Sequence, residues 1–155
     1  MAENHDARLR EICRKVSDTC LGARVRRAAR AVGNHYDEHL KPAGLKGTQF
    51  TLLTALYLNP EATISRVAGF LLLDRTTLNR NLKPLEREGL IESGSGKDLR
   101  TRTLKLTVKG VDALQQALPL WLEAQSAAVE SVGGRVHGLV DDLGHLENLG
   151  EPSPT

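Results

Sequence analysis

Residues 73–91, LDRTTLNRNLKPLEREGLI, constrain the fold more than any other stretch of this chain. Leucines recur there at the spacing of one helical face, at Leu78, Leu82 and Leu85. Asp74 can cap the first turn and Gly89 can end the last. Pro84 falls inside this helix, where a proline costs about 3 kcal/mol. We expect burial of the leucines, at about 1.5–3 kcal/mol per side chain, to offset that cost.

The flanking segments predict a mainly α fold with a small β-hairpin. Helical spacing recurs over residues 7–16, 21–39, 48–58, 63–71, 111–131 and 134–149, with Thr48 and Thr63 as candidate N-caps. Leu104, Leu106 and Val108 alternate with polar residues, as in a half-buried strand. Paired with LIESG at 90–94, they predict a hairpin with the basic tip SGSGKDLRT. This order of elements predicts a winged helix-turn-helix.

Composition limits the class of protein. A chain of 155 residues predicts one domain, and with 3% aromatic residues its core must be mainly aliphatic. Residues 1–60 and 61–110 each carry ten lysines and arginines against six acidic residues, whereas 111–155 carry one against seven. This asymmetry favours a polyanionic partner for one face. With no membrane-length apolar run and no signal-like N-terminus, we expect a cytoplasmic protein.

The outer face of the helix at 74–88 carries the candidate binding groups. Opposite Leu78 lie cations and hydrogen-bonding side chains of the kind that bond base edges in the major groove of DNA. The candidate residues on this helix are Arg75, Thr76, Thr77, Asn79, Arg80, Lys83 and Arg87. Those on the hairpin are Lys97, Asp98, Arg100 and Arg102. Guanidinium groups on a hairpin tip suit a narrow minor groove, and Asp98 is close enough in sequence to orient Arg100.

Three motifs together resemble the MarR family of bacterial transcription regulators, over roughly residues 20–148. They are DRTTLNRNLKPLEREGLI, the wing GKDLRTRTLKLTVKG with its Asp98 and Arg100 pair, and YDEHLKPAGLKGTQFTLL. The resemblance implies an obligate homodimer, joined by its N- and C-terminal helices, that binds pseudo-palindromic double-stranded DNA operators. It also implies that the helix 74–88 is the recognition helix, that Arg100 enters the minor groove, and that a ligand or oxidant lowers DNA affinity. Many relatives have glycine where this chain has Leu72.

On this basis we predict a winged helix-turn-helix transcription regulator, a repressor, with N- and C-terminal dimerisation helices. Residues 1–47 would contribute to dimerisation, 48–110 would bind DNA, 111–149 would complete the dimer, and 150–155 would form a tail. Two recognition helices should meet successive major grooves, roughly 34 Å apart. The alternative from another class is a winged-helix protein-interaction module that does not bind DNA.

Two cysteines, Cys13 and Cys20, are candidates for redox sensing. On one continuous helix their Cα atoms would be about 10 Å apart, beyond disulfide reach, so an internal bridge needs a break at residues 17–19. Otherwise a disulfide would have to cross the dimer. Neighbouring cations favour the reactive thiolate, and some members of the family sense oxidants through N-terminal cysteines. The alternative is that both are small apolar side chains in the interior.

The remaining candidates favour structural roles. His35 and His39 have the spacing of two metal ligands on a helix, but no further Cys/His cluster accompanies them, so we expect no metal and no cofactor. Trp121 either lines a pocket or fills the core. The sequence contains no glycine-rich phosphate loop, HExxH motif or nucleophile elbow, so we do not expect an enzyme.

Overall fold

The computed structural model describes residues 2–95 and 102–149. The chain divides into two compact units, residues 1–35 and 36–155. The described helices are α1 (Ala2–Thr19), α2 (Leu21–Leu40), α3 (Gly47–Leu58), α4 (Ile64–Phe70), α5 (Arg75–Arg87), α6 (Val108–Val132) and α7 (Val136–Glu147). The strands are β1 (Ala62–Thr63), β2 (Ile91–Ser95) and β3 (Arg102–Leu106), and short 3-10 helices lie at Lys41–Ala43 and Gly133–Arg135. The predicted tail, 150–155, lies outside the described residues.

The core of the second unit is aliphatic, as the composition predicts. Its largest side chains with less than 2% exposure come from several elements: Leu40, Leu52, Leu53, Leu56, Leu78, Leu82, Leu85, Leu104 and Val67. All three leucines predicted on the inner face of α5 are among them, and α5 continues through Pro84 to Arg87. Burial of these leucines therefore offsets the cost of the proline, as expected.

The hairpin is present and is joined by a third strand. Strands β2 and β3 pair antiparallel from Ile91 opposite Leu106 to Ser95 opposite Arg102. Strand β1 adds to the other side of β3, so that the order is β1-β3-β2. A two-residue strand is too short to show an alternating pattern, which is why the sequence did not predict it. Thr63 ends β1 and also caps α4, because its Oγ1 accepts a hydrogen bond from the Arg66 amide at 3.2 Å.

Several predicted element boundaries differ from the structure, and two of them have a clear physical cause. The alternating pattern extends the second strand through Val108, but β3 ends at Leu106 and α6 begins at Val108. Thr107 leaves the strand because its hydroxyl oxygen accepts from the Gly110 amide at 3.0 Å and so caps α6. Helix α3 begins at Gly47 rather than after Thr48. The Gly47 amide instead donates to Asp37 Oδ1 at 2.7 Å.

A close joint connects the start of α6 to the end of α5. The Thr107 hydroxyl donates to the Gly89 carbonyl at 2.7 Å, and the Thr107 amide donates to the Leu90 carbonyl at 3.1 Å. Gly110 packs so tightly here that a Cβ would lie 2.0 Å from the Leu90 carbonyl oxygen. The Lys109 ammonium donates to the Glu88 carbonyl at 2.7 Å. The position of α5 is therefore fixed from its carboxyl end as well as from its buried face.

Candidate nucleic-acid interface

The first turn of α5 is fixed by a side-chain cap. Asp74 accepts from the Thr77 amide at 2.9 Å through Oδ1 and from the Thr77 hydroxyl at 2.6 Å through Oδ2. The hydrogen bond from the Thr77 hydroxyl has the larger effect and that from the Thr77 amide the next; both lower the pKa of Asp74, so its carboxylate remains ionised at neutral pH. The predicted N-cap is confirmed. Thr77, a predicted base-contacting residue, uses its hydroxyl in this cap.

The outer face of α5 is polar and basic. Three exposed cations lie on it, namely Arg80, Lys83 and Arg87, and Arg75 is exposed at the first residue of the helix, nearer the leucine face. Thr76 is exposed among them, whereas Asn79 and Thr77 are half-buried on the flanks. Because the opposite face is buried leucine, the helix can present only this side to a partner. Thr76, Arg80, Lys83 and Arg87 thus share one exposed surface, with Asn79 and Thr77 at its edges.

Arg75 has a contact that the sequence did not indicate. Its Nη2 donates to the hydroxyl of Ser65 on α4 at 2.8 Å. This hydrogen bond connects the start of α5 to the helix before it in the helix-turn-helix. Arg75 therefore supports the relative position of α4 and α5.

The turn between α4 and α5 contains a leucine in the left-handed region. Leu72 has φ +49° and its side chain is 66% exposed. The Leu73 amide closes the turn by donating to the Ala68 carbonyl at 2.9 Å. Glycine adopts such a conformation without steric cost, which explains why glycine suits this position in the family. The turn is formed despite the leucine.

The four predicted wing residues differ in what the structure shows. Lys97, Asp98 and Arg100 lie outside the described residues. Arg102 begins β3, and its guanidinium forms an ion pair with Glu86 of α5. Its Nε also donates to the Ser93 hydroxyl at 2.8 Å, and that hydroxyl donates to Glu86 Oε1 at 2.6 Å. Arg102 is thus bound to α5 and to β2.

A cleft beside α5 adds basic residues that the sequence did not single out. It has a volume of about 640 Å³ and is lined by Arg80 and Arg87 from α5 together with Lys41 and Lys46. Both lysines belong to the segment KPAGLKG at 41–47, whose proline and glycines predict a loop. Its two lysines were the sequence feature that could have indicated a further basic surface. Asp37, Glu38 and Glu88 also line this cleft, so its charge is mixed.

A second cavity, of about 400 Å³, lies on the apolar side of the second unit. Trp121 of α6 stacks on Phe50 of α3, with ring centroids 5.9 Å apart and an interplanar angle of 16°. Both rings line the cavity, along with Leu58, Phe70 and other residues of α3 and α4. Trp121 also packs against the buried core. It therefore both lines a pocket and fills the core, the two roles between which the sequence left a choice.

The cysteines lie in the first unit. Cys13 is exposed on α1 and Cys20 is half-buried. Helix α1 continues through Ser17 to Thr19, and the Cys20 amide still donates to the Val16 carbonyl at 3.0 Å. The break that an internal disulfide would require is not found in this segment.

Over residues 2–95 and 102–149, no group of three or more His, Cys, Asp or Glu side chains is arranged to hold a metal ion. Within the same residues, no helix has both the length and the apolar character needed to cross a membrane.

The fold defines a winged helix-turn-helix protein, mostly helical with a small antiparallel sheet. Comparison with known proteins makes the class more specific. The sequence model of the MarR family matches residues 43–101. The chain is similar to the M. tuberculosis transcriptional regulator MosR, crystallised in complex with DNA, at 39% identity. The match covers 86% of this chain and 99% of that one, with a TM-score of 0.76. The chain belongs to the MarR family of transcriptional regulators.

Other relatives agree with this assignment. The transcriptional repressor CouR, bound to a 23-mer DNA duplex, is 26% identical, with 86% of this chain and 95% of that chain covered and a TM-score of 0.75. The Bacillus subtilis regulator MhqR is 29% identical over 94 residues, 60% of this chain. The chain spans 65% of the length of MhqR, slightly less than two thirds.

Proposed function

We propose that this protein is a sequence-specific DNA-binding repressor that acts as a homodimer on a pseudo-palindromic operator. The observation that carries the proposal is the basic outer face of α5, on a helix fixed by a cap, a buried leucine face and the joint to α6. A helix of this kind fits the major groove, and a 39% identical relative was crystallised in complex with DNA.

The side chains suggest a division of roles. Arg80 has the geometry to bond a guanine through two hydrogen bonds, and Thr76 and Asn79 can reach neighbouring base edges. Lys83 and Arg87 lie farther along the helix and would contact phosphates. Thr77 supports the first turn, because its hydroxyl is already bonded to Asp74.

The wing and the cleft would extend this surface. Arg100, oriented by Asp98, would enter the minor groove, with Lys97 near the phosphates. Lys41 and Lys46 place two further cations in the cleft beside α5, although Asp37, Glu38 and Glu88 share its lining. Two such surfaces related by a twofold axis would meet operator half-sites roughly 10 base pairs apart.

The test is fluorescence anisotropy with duplex DNA from upstream of the protein's own gene, between 50 and 200 mM salt. The wild type should lose affinity steeply over this range, because bound cations release counterions from the phosphates. Arg80→Ala should cost about 1–3 kcal/mol and relax specificity, whereas Lys83→Ala should weaken all sequences similarly and lower the salt slope by about one. Arg135→Ala, which removes one exposed cation from the 3-10 helix before α7, is the control.

DNA affinity that is absent, or independent of salt, would contradict the proposal. That outcome would favour the alternative of a winged-helix module that binds proteins.

Release from DNA would come from a small apolar ligand or from oxidation. The cavity beside Trp121 has a volume suitable for a small molecule and aromatic walls. Cys13 is accessible to an oxidant. The test that separates release by a ligand from release by oxidation measures operator binding with and without peroxide. It uses the wild type and the Cys13→Ser and Cys20→Ser variants. Release by peroxide that needs neither cysteine would exclude thiol sensing.

A further inference from the structure

The contacts of Arg102 assign it a role different from that of a DNA-contacting wing residue. We infer that Arg102, Glu86 and Ser93 form a positioning network that fixes the wing on the recognition helix. The inference rests on the proposed DNA-binding function, since it concerns how two parts of one DNA-binding surface are held together.

The network joins elements that are separate in sequence. Glu86 is on α5, Ser93 is on β2 and Arg102 is on β3. The Arg102 guanidinium pairs with Glu86 and also donates to Ser93, while Ser93 donates to Glu86, so each member contacts the other two. A closed set of three side chains restricts both strands of the hairpin relative to the helix.

The partial burial of the pair makes it more than an average surface contact. The side chains of Arg102 and Glu86 are 46% and 28% exposed. By comparison, Lys105 and Glu92 form an ion pair at 2.9 Å between directly opposite residues of β3 and β2, with exposures of 52% and 54%. That second pair lies entirely within the hairpin and does not reach α5. The pair of Lys105 and Glu92 therefore serves as a control that does not connect the hairpin to α5.

The location of the network explains its effect on the wing. Arg102 and Ser95 are the paired residues at the end of the described hairpin ladder, and residues 96–101 connect them. Those connecting residues include Lys97 and Arg100, the proposed minor-groove side chains. Holding Arg102 against α5 therefore sets the point from which they extend, relative to the helix in the major groove.

Electrostatics alone would argue against a glutamate at position 86. A carboxylate on the recognition helix repels DNA phosphates, and it neutralises an arginine that could otherwise contact them. If Arg102 were a phosphate contact, removing Glu86 would free it and raise DNA affinity. If the network positions the wing, removing Glu86 should lower affinity although the protein becomes more positive. The sign of the change distinguishes the two.

The experiment compares Glu86→Ala with Glu92→Ala, since each variant removes one carboxylate. Operator affinity should fall about threefold to tenfold for Glu86→Ala, in line with coupling energies of contacting side chains, and should stay level or rise for Glu92→Ala. Ser93→Ala changes no charge on an exposed strand residue and should also lower affinity. Glu86→Ala combined with Arg102→Ala should cost little more than Arg102→Ala alone. Unchanged or tighter binding by both Glu86→Ala and Ser93→Ala would overturn the inference.

A second measurement does not depend on DNA. Amide hydrogen exchange of β2 and β3 should accelerate in Glu86→Ala and Ser93→Ala relative to Glu92→Ala, because the hairpin loses its attachment to α5. Equal protection in all three variants would count against the network even if the wild type bound no DNA. Failure of the proposed function would instead appear as wild-type protein that binds no operator while the exchange difference is still present.

Discussion

At the scale of single residues, Leu72 has an unfavourable backbone conformation. A left-handed conformation costs a residue with a Cβ about 1–2 kcal/mol, whereas the extra chain entropy of glycine costs about 0.5–1 kcal/mol. The side chain is largely exposed, so little burial is lost on removing it. We expect Leu72→Gly to raise the free energy of unfolding by about 0.5–1 kcal/mol, measured by urea denaturation.

Leu58→Gly is the control for this prediction. Leu58 is 71% exposed at the end of α3, so the side chain removed is comparable, but its φ is not in the left-handed region. This variant should destabilise the protein by about 0.5–1 kcal/mol. If both glycine variants lost stability equally, backbone strain at position 72 would be disproved.

The residue scale also shows where sequence analysis succeeds and where it fails. The Asp74 cap was predictable because its partner, Thr77, is three residues away and helix geometry alone brings them together. The contact between Arg102 and Glu86 was not predictable. The two residues are sixteen positions apart, and their pairing depends on how the hairpin folds against α5. The sequence therefore placed Arg102 with the DNA-contacting residues by charge alone.

At the scale of elements, the joint between α5 and α6 depends on Gly110. A methyl group there would overlap the Leu90 carbonyl oxygen, which cannot move without displacing the start of β2. We expect Gly110→Ala to destabilise the protein by about 3 kcal/mol, toward the upper end of overpacking costs, measured by urea or thermal denaturation.

Gly138→Ala provides the comparison, since Gly138 is also within a helix but has open space around its Cα. Alanine should stabilise α7 by about 0.5–1 kcal/mol, because it restricts the unfolded chain more than glycine does. A Gly110→Ala protein as stable as the wild type would show that the joint can relax.

Elements were predicted well where they are long and periodic. The helices of the winged helix-turn-helix and both hairpin strands could be identified from spacing, and the resemblance to the MarR family agreed with them. The errors occurred at boundaries. Thr107 continues the alternation of β3 in sequence, but its hydroxyl caps α6, and tertiary packing at Gly110 determines which pattern applies. Strand β1 exists because β3 has a free edge beside it, which local sequence does not reveal.

At the scale of the whole molecule, exposed apolar side chains support the proposed homodimer. Helix α7 exposes Leu139, Val140 and Leu143, by 42%, 60% and 40%, and α1 exposes Leu9, Ile12 and Val16 by about half. Surfaces of this kind are usually covered by a partner. We expect Leu139→Glu combined with Leu143→Glu to shift the protein toward monomer in analytical ultracentrifugation. Operator affinity should fall with it, because a monomer engages one half-site.

The control is Val108→Glu, which introduces a carboxylate at a side chain 79% exposed in the first turn of α6. It should leave the sedimentation coefficient of the wild type unchanged. A dimer that persists in the double α7 variant at low micromolar concentration would place the subunit interface elsewhere.

The close backbone contact at Gly110 would matter for the proposed release of DNA by a ligand. Helix α6 is 25 residues long and carries Trp121, which lines the second cavity. The start of the same helix is hydrogen-bonded to Gly89, just after the end of α5. Because no side chain separates the backbones at Gly110 and Leu90, a displacement of α6 would be transmitted directly to the outer face of α5. A ligand in the cavity would not need to approach the operator to release it. A small tilt of α6 would rotate α5 out of register with the major groove.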